Sequence, residues 1–396
     1  MESLAGFRQV SAVFGESYPV RDREFEFPHD EIHRLKSSGL LAHAIPEEYG
    51  GIGGSFFDII ESIRTLAEGN PSIAQVYGVH AIILHHAAFW QHHEDLKRQI
   101  FRQVIERNAF IANASSEKNS KNVAAYEVTF QKAPDGGLLI NGKKFFSTGS
   151  LAADLFFVPG ILDDHMAVAF VPSDSKGLVV HDDWRAMGQR GTGSGTTEFK
   201  NVHIRPELVI DKFYDLRNPD ATDLFAPMFQ TSFGIIVLGA ARGALKWATQ
   251  YVRTRARPWV LGGATSAVED LYNLQSFGKM EARLSAAECL SRDAARFVEE
   301  VIGARRTCGN AELARLRGEA MVRVAKAKVV STEASLYVCN EMFKACGTRA
   351  ALAAEQADRF LRDVRTLTLH DPVEYKAKIV GEYLLLDQVP TPGFFN

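Results

Sequence analysis

Apolar residues recur at three- and four-residue spacing in "HDEIHRLKSSGLLAHA" (29–44) and "FFDIIESIRTLAEG" (56–69), and no stretch nearby alternates. That period predicts helices from residue 1 to about 111. Gly69, Asn70 and Pro71 form a helix stop. From 112 to 212 the pattern changes. "YEVTFQ" and "LLINGKKFFS" flank "KAPDGG", which reads as a hairpin turn through Pro134, Asp135 and Gly136. "LFFVPGIL", "MAVAFVP", "GLVVHD" and "TTEFKNVHI" follow at short intervals. Several short strands with regular turns predict a small barrel or sandwich. After 213 the chain reads as helical again. The run from "LFAPMF" to "TRARPW" has no breaker before Pro258 apart from isolated glycines. Gly234, Gly239, Ala240, Gly243 and Ala244 would let another helix approach closely. Two more long amphipathic stretches complete a predicted bundle. The fold class is α+β, in three parts: 1–111 helical, 112–212 strands, 213–396 helical.

Composition narrows this only slightly. The 396 residues are 46% apolar and 23% charged, as in soluble globular proteins. A net charge of −3 offers no electrostatic footprint for nucleic acid. No basic region precedes a long apolar core near residue 1, and "FGIIVLGAARGAL" meets charge too soon to span a bilayer. A cytoplasmic protein is the expectation, with neither nucleic acid nor membrane as partner. The four cysteines form no CxxC pair and read as buried helical thiols.

Several motifs admit a functional and a structural reading. His80, His85, His86, His92 and His93 cluster, but without clean metal-ligand spacing, and "HDEIH" lacks the glutamate of the metalloprotease motif. No metal is expected. "GQRGTGSGTTEF" resembles a phosphate loop, yet it lacks the P-loop lysine and leads into a strand. Arg255 and Arg257 in "TRARPW" could be ordinary helix-end cations or a phosphate clamp. Asn113, Ser115 and Ser116 could form a turn, or serve the polar edge of a cofactor; Ser147 and Thr148 raise the same choice. In "LHDPVEY", Asp371 precedes Pro372 and stands three residues before Glu374, a pattern that predicts an N-cap. His370 has no comparable structural explanation.

Taken together, "LLAHAIPEEYGGIGGSF", "INGKKFFSTGS", "AMGQRGTGSGTTEFKNVHI" and "DRFLRDVRTLTLHDP" resemble segments of the acyl-CoA dehydrogenase superfamily over nearly the whole chain. The resemblance implies an N-terminal α-helical domain, a middle β-barrel and a C-terminal four-helix bundle, assembled as a homotetramer. Where dehydrogenases commonly carry a catalytic glutamate, this chain has His370, Asp371, Pro372 and Val373. "TLTLHDPVEYK", "TRARPW" and "GEYLLLDQVPTPGFF" are similar instead to the flavin-dependent monooxygenase branch.

That branch implies reduced flavin (FMN or FAD) from a separate NAD(P)H:flavin reductase, with O₂ as co-substrate. A C4a-hydroperoxyflavin would oxygenate a small apolar aromatic or heterocyclic substrate, an organosulfur compound or an indole-type ring. By position, the resemblance gives His370, His80, Ser147 and Asn113 catalytic roles. It places Asn113, Ser115, Ser116, Ser147 and Thr148 along the isoalloxazine, and Arg255, Arg257 and Arg349 at the flavin phosphate. Trp184 and Met187 are candidate apolar neighbours. The alternative is an FAD-dependent acyl-CoA dehydrogenase with Asp371 as base.

Overall fold

The structure, a computed structural model, describes every residue except Met1, Gln91, 119–125, Asp164, 215–219 and 394–395. Phe394 and Phe395, within a stretch quoted above, therefore lie outside the described residues. The first part contains α1 (Glu2–Glu24), α2 (His29–Ser37), α3 (Phe56–Gly69), α4 (Pro71–Ala87) and α5 (Glu94–Arg107). Ser55 and Asp58 form a capping box that starts α3. Asn70 ends α3 and also starts α4: its side chain accepts the N–H groups of Ser72 and Ile73, and Pro71 fills the first position.

The middle part is one sheet of β1 (Ile111–Asn113), β2 (Thr129–Lys132), β3 (Leu138–Lys144), β4 (Leu155–Leu162), β5 (His165–Pro172), β6 (Leu178–Val180), β7 (Thr197–Ile204) and β8 (Val209–Tyr214). The strand order is β6-β7-β3-β2-β4-β5-β8, with β1 parallel to β4. The antiparallel β4–β5 pair is buried along nearly its whole length, so it reads as two apolar runs rather than alternation. The β2–β3 turn closes as expected: Ala133 N–H donates to the Gly137 carbonyl, and Gly136 takes φ 84°.

The last part holds α6 (Phe225–Thr254), α7 (Leu271–Ala304), α8 (Asn310–Cys346), α9 (Asp358–Thr368) and α10 (Val373–Leu386). Helix α6 is long and apolar enough to cross a membrane, but 94% of its most apolar window is buried inside the protein. Its glycines explain how. A Cβ on Gly239 would stand 2.6 Å from both Ala67 Cβ and the Arg64 carbonyl, and one on Gly243 would stand 2.4 Å from the Glu68 carbonyl. Backbone thus meets backbone where α6 crosses α3. Cys339 and Cys346 are buried, but Cys289 is exposed and Cys308 half-exposed, which corrects the expectation that all four thiols lie inside.

Gly239→Ala tests this crossing. Carbonyls and a neighbouring Cβ cannot rotate away, so overpacking should cost about 1–3 kcal/mol. The expected result is a lower urea midpoint with an unchanged m-value. An unchanged midpoint would show that α3 and α6 are not in backbone contact.

Candidate active site

The α9–α10 corner is dictated locally. Pro372 cannot continue α9, and the residue before a proline avoids helical dihedrals. Helix α9 therefore stops at Thr368, the His370 N–H donates back to the Leu367 carbonyl at 3.1 Å, and α10 starts at Val373. Pro372, with φ −65° and ψ 116°, is itself the N-cap, and no side chain caps the helix. The expected capping role of Asp371 is thus corrected. Its carboxylate turns inward, where Lys328 Nζ of α8 lies 3.3 Å from Oδ1 and Lys376 Nζ of α10 lies 3.1 Å from Oδ2. Two buried ammonium groups attract it more strongly than a helix N-terminus does.

His370 Nδ1 lies 3.5 Å from Asp371 Oδ1. Its ring packs on Phe233 of α6, with centroids 3.9 Å apart. The imidazole is still 36% exposed, so one edge faces open space. Burial is the largest influence on it and pushes its pKa down; Lys328 and Lys376 push the same way, against Asp371. Together they favour the neutral imidazole. Burial works to raise the pKa of Asp371, but the contact with His370 and the two lysines hold it well below the usual carboxylate range. A carboxylate held there is a poor proton acceptor, which counts against Asp371 as a dehydrogenase base.

A second group of expected residues gathers at one end of the sheet. Asn113 N–H donates to the Thr148 carbonyl at 3.2 Å, and the Ser115 hydroxyl donates to Asn113 Oδ1. The Ser116 carbonyl accepts the Phe145 N–H at 2.9 Å. Buried Lys144 holds this loop from behind, reaching the Ser115 carbonyl at 3.1 Å and Glu117 Oε1 at 2.6 Å. Thr148 Oγ1 meets Ser194 Oγ at 3.1 Å, and Ser147 Oγ is buried with no partner among the described residues. Phe146, at φ 58°, is exposed beside the Trp184 ring.

The segment 187–195 ties this end of the sheet to α9. On one side, the Gly149 N–H donates to the Thr192 carbonyl at 2.9 Å and the Ser150 hydroxyl to the Gly193 carbonyl at 2.7 Å. On the other, Gly188 lies flat on α9, where any Cβ would stand 2.2 Å from the Arg362 carbonyl. Arg362 donates to the Met187 carbonyl at 2.9 Å. Asp363 is fully buried and accepts the Gln189 N–H and the Tyr18 hydroxyl. Burial, only partly offset by the Gln189 N–H, pushes its pKa up to about 7.

Other expected residues fall elsewhere. His80 is fully buried and stacked on Phe110; Nε2–H donates to the Leu41 carbonyl at 3.0 Å and Nδ1 accepts the Ile111 N–H at 3.1 Å. With both nitrogens engaged, His80 has none left for a pocket, and its expected catalytic role is corrected to that of a structural link. Burial lowers its pKa to about 4, so it remains neutral. Arg255 makes a bidentate pair with Glu355 at 2.5 and 2.6 Å. Arg349 donates to the Arg255 carbonyl, and Arg257 is exposed nearby in sequence. At about 1.5 Å per residue this cluster lies about 30 Å beyond Phe233 along α6. The sequence reading missed Lys328, Lys376, Asp363 and Ser194. A lysine on the buried α8 stripe of Ala325, Thr332 and Ser335 was the available signal for the first.

The N-terminal, middle and C-terminal domain models of acyl-CoA dehydrogenase match residues 14–113, 112–202 and 231–375. The dibenzothiophene monooxygenase of Mycolicibacterium goodii is 37% identical, over 98% of this chain and 94% of its own. A probable FMNH₂-dependent monooxygenase, SfnC of Pseudomonas putida, is 31% identical over 100% and 97%. TdsC from Paenibacillus sp. A11-2, solved with FMN bound, superposes with TM-score 0.90 at 33% identity over the whole of both chains; its complex with FMN and indole gives 0.89. The chain belongs to the acyl-CoA dehydrogenase family. Within that family it stands among the flavin-dependent monooxygenases.

The buried carboxyl of Asp363 gives a pH test. Between about pH 4 and pH 7 the folded state keeps a proton that the unfolded chain has lost, so stability falls as pH rises through this window. Asp363→Asn should flatten that part of the stability–pH curve measured in urea. An unaltered slope would show that Asp363 is ionised in the folded protein.

Proposed function

We propose that the protein is the oxygenase of a two-component system that uses FMNH₂ and O₂ to oxygenate a small apolar aromatic or heterocyclic substrate. A separate NAD(P)H:flavin reductase supplies the reduced flavin. When bound, that flavin carries the oxygen chemistry, as a C4a-hydroperoxide. The observation that carries this reading is His370, a partly exposed imidazole beside a carboxylate that two buried lysines contact.

The residues present fit a flavin. Asn113, Ser115, Ser116, Ser147 and Thr148 offer hydroxyl, amide and backbone groups of the kind an isoalloxazine edge requires, and the Ser147 hydroxyl, with no partner among the described residues, is a donor suited to such an edge. In this reading His370 holds or moves a proton at Nε2, while Phe233, Phe229 and Phe225 supply an apolar wall that limits water. The names of the relatives, with dibenzothiophene and indole among them, support a planar aromatic substrate. The arginines lie too far along α6 for one flavin mononucleotide to span both ends. We therefore assign Arg255, Arg257 and Arg349 to the phosphate of a flavin bound by a second copy in a homotetramer. Exposed Trp259, Val260, Leu261, Leu271 and Tyr272 beside them support such an interface.

His370→Ala should bind FMN as the parent protein does, yet form product on the order of 10²-fold more slowly. Rapid mixing of the flavin-loaded protein with O₂ and substrate measures both. Normal product formation by the variant would remove His370 from the chemistry. Bleaching of the flavin by an acyl-CoA, without any oxygenated product, would instead favour a dehydrogenase.

A further inference from the structure

Two buried lysines converge on one aspartate beside His370. Lys328 on α8 and Lys376 on α10 are each 3% exposed, and Asp371 is 13% exposed between them. A buried carboxylate held in this way has a fixed position, because removing one partner strands a charge. Lys328 also lies 5.6 Å from the centre of the Phe233 ring, which itself covers one face of His370.

We propose that Lys328 is a positioning residue: with Lys376 it fixes the Asp371 carboxylate behind His370, so that Nδ1–H points back at the carboxylate and Nε2 stays an unprotonated acceptor toward the open space. The inference rests on the role given to His370 above and adds what sets the state of its ring. The geometry explains each part. A carboxylate beside Nδ1 selects the tautomer, as in other carboxylate–imidazole pairs. Alone it would also attract a second proton to the ring. Lys328, on the same Oδ1 that faces Nδ1, and Lys376, on Oδ2, cancel that attraction while leaving the orienting contact in place.

The charged groups that face His370 are Lys328 from α8, Asp371 from its own corner and Lys376 from α10; α6 contributes the uncharged Phe233 ring. Burial and both lysines favour the neutral imidazole, and the Lys328 ammonium is itself pushed down by burial.

The test needs neither flavin nor turnover. In flavin-free protein with isotope-labelled histidine, NMR titration follows the His370 ring, identified by its loss in His370→Ala. Lys328→Met should raise the His370 pKa by on the order of one unit, and Lys328→Arg should restore it. Lys376→Met should shift it in the same direction, and it carries the test if Lys328→Met does not fold. An unchanged His370 titration in the folded lysine variants would overturn the proposal. The two readings fail separately: a shifted titration with normal oxygenation by His370→Ala refutes only the catalytic role, and an unshifted titration with oxygenation lost refutes only the role of Lys328.

Discussion

Everything in this protein is arranged along one buried helix, and that helix can be buried only because it is narrow. At Gly239 and Gly243, α6 lies directly on the carbonyls of Arg64 and Glu68. This approach joins the first helical part to the last without an intervening layer of side chains. The remaining positions of α6 then set distances. Phe225 stacks on Phe157 of the sheet, Phe233 covers His370, and Trp247 meets Phe360 of α9. Because α6 is rigid over this length, these contacts fix the sheet, the α9–α10 corner and the arginine cluster relative to one another. A wider helix at Gly239 would displace them together.

The second organising feature is where charge is buried. Lys144 with Glu117 anchors the loop of Ser115 and Ser116; Lys328 and Lys376 anchor Asp371; Arg362 with Asp22 braces α9. Buried ion pairs contribute little net stability, because desolvation offsets most of their attraction. They do fix geometry, since breaking either partner strands a charge. Each of these three charged groups stands behind a segment that carries a candidate site residue or docks against one. In this chain the corner between α9 and α10 holds its carboxylate between two lysines, with His370 beside it. The lysines and His370 together keep the Asp371 carboxyl well below the usual carboxylate range.

Helices, strands and the order of the three parts were legible because each depends on short-range pattern. Apolar period, the Asn70–Pro71 junction and the Pro134–Gly136 turn act within a few residues of themselves. So does the break at Pro372, and the exposed placement of His370 follows from it. The small residues of α6 announced a close approach, although not what would approach.

Partners distant in sequence were not legible. His80 and His370 are both histidines near apolar residues, and their sequences do not distinguish them. The fold gives one of them the Leu41 carbonyl and the Ile111 N–H, and gives the other an open face. Asp371 followed a good capping pattern, yet Lys328, more than forty positions earlier, outweighed it. The sequence by itself determined the elements, their order and the corner that holds His370, because those choices are local. Only the tertiary structure decided which polar groups are satisfied and which remain available for chemistry. Hydrogen bonding and desolvation depend on what surrounds a group in space, and the chain sets that only once it has closed on itself.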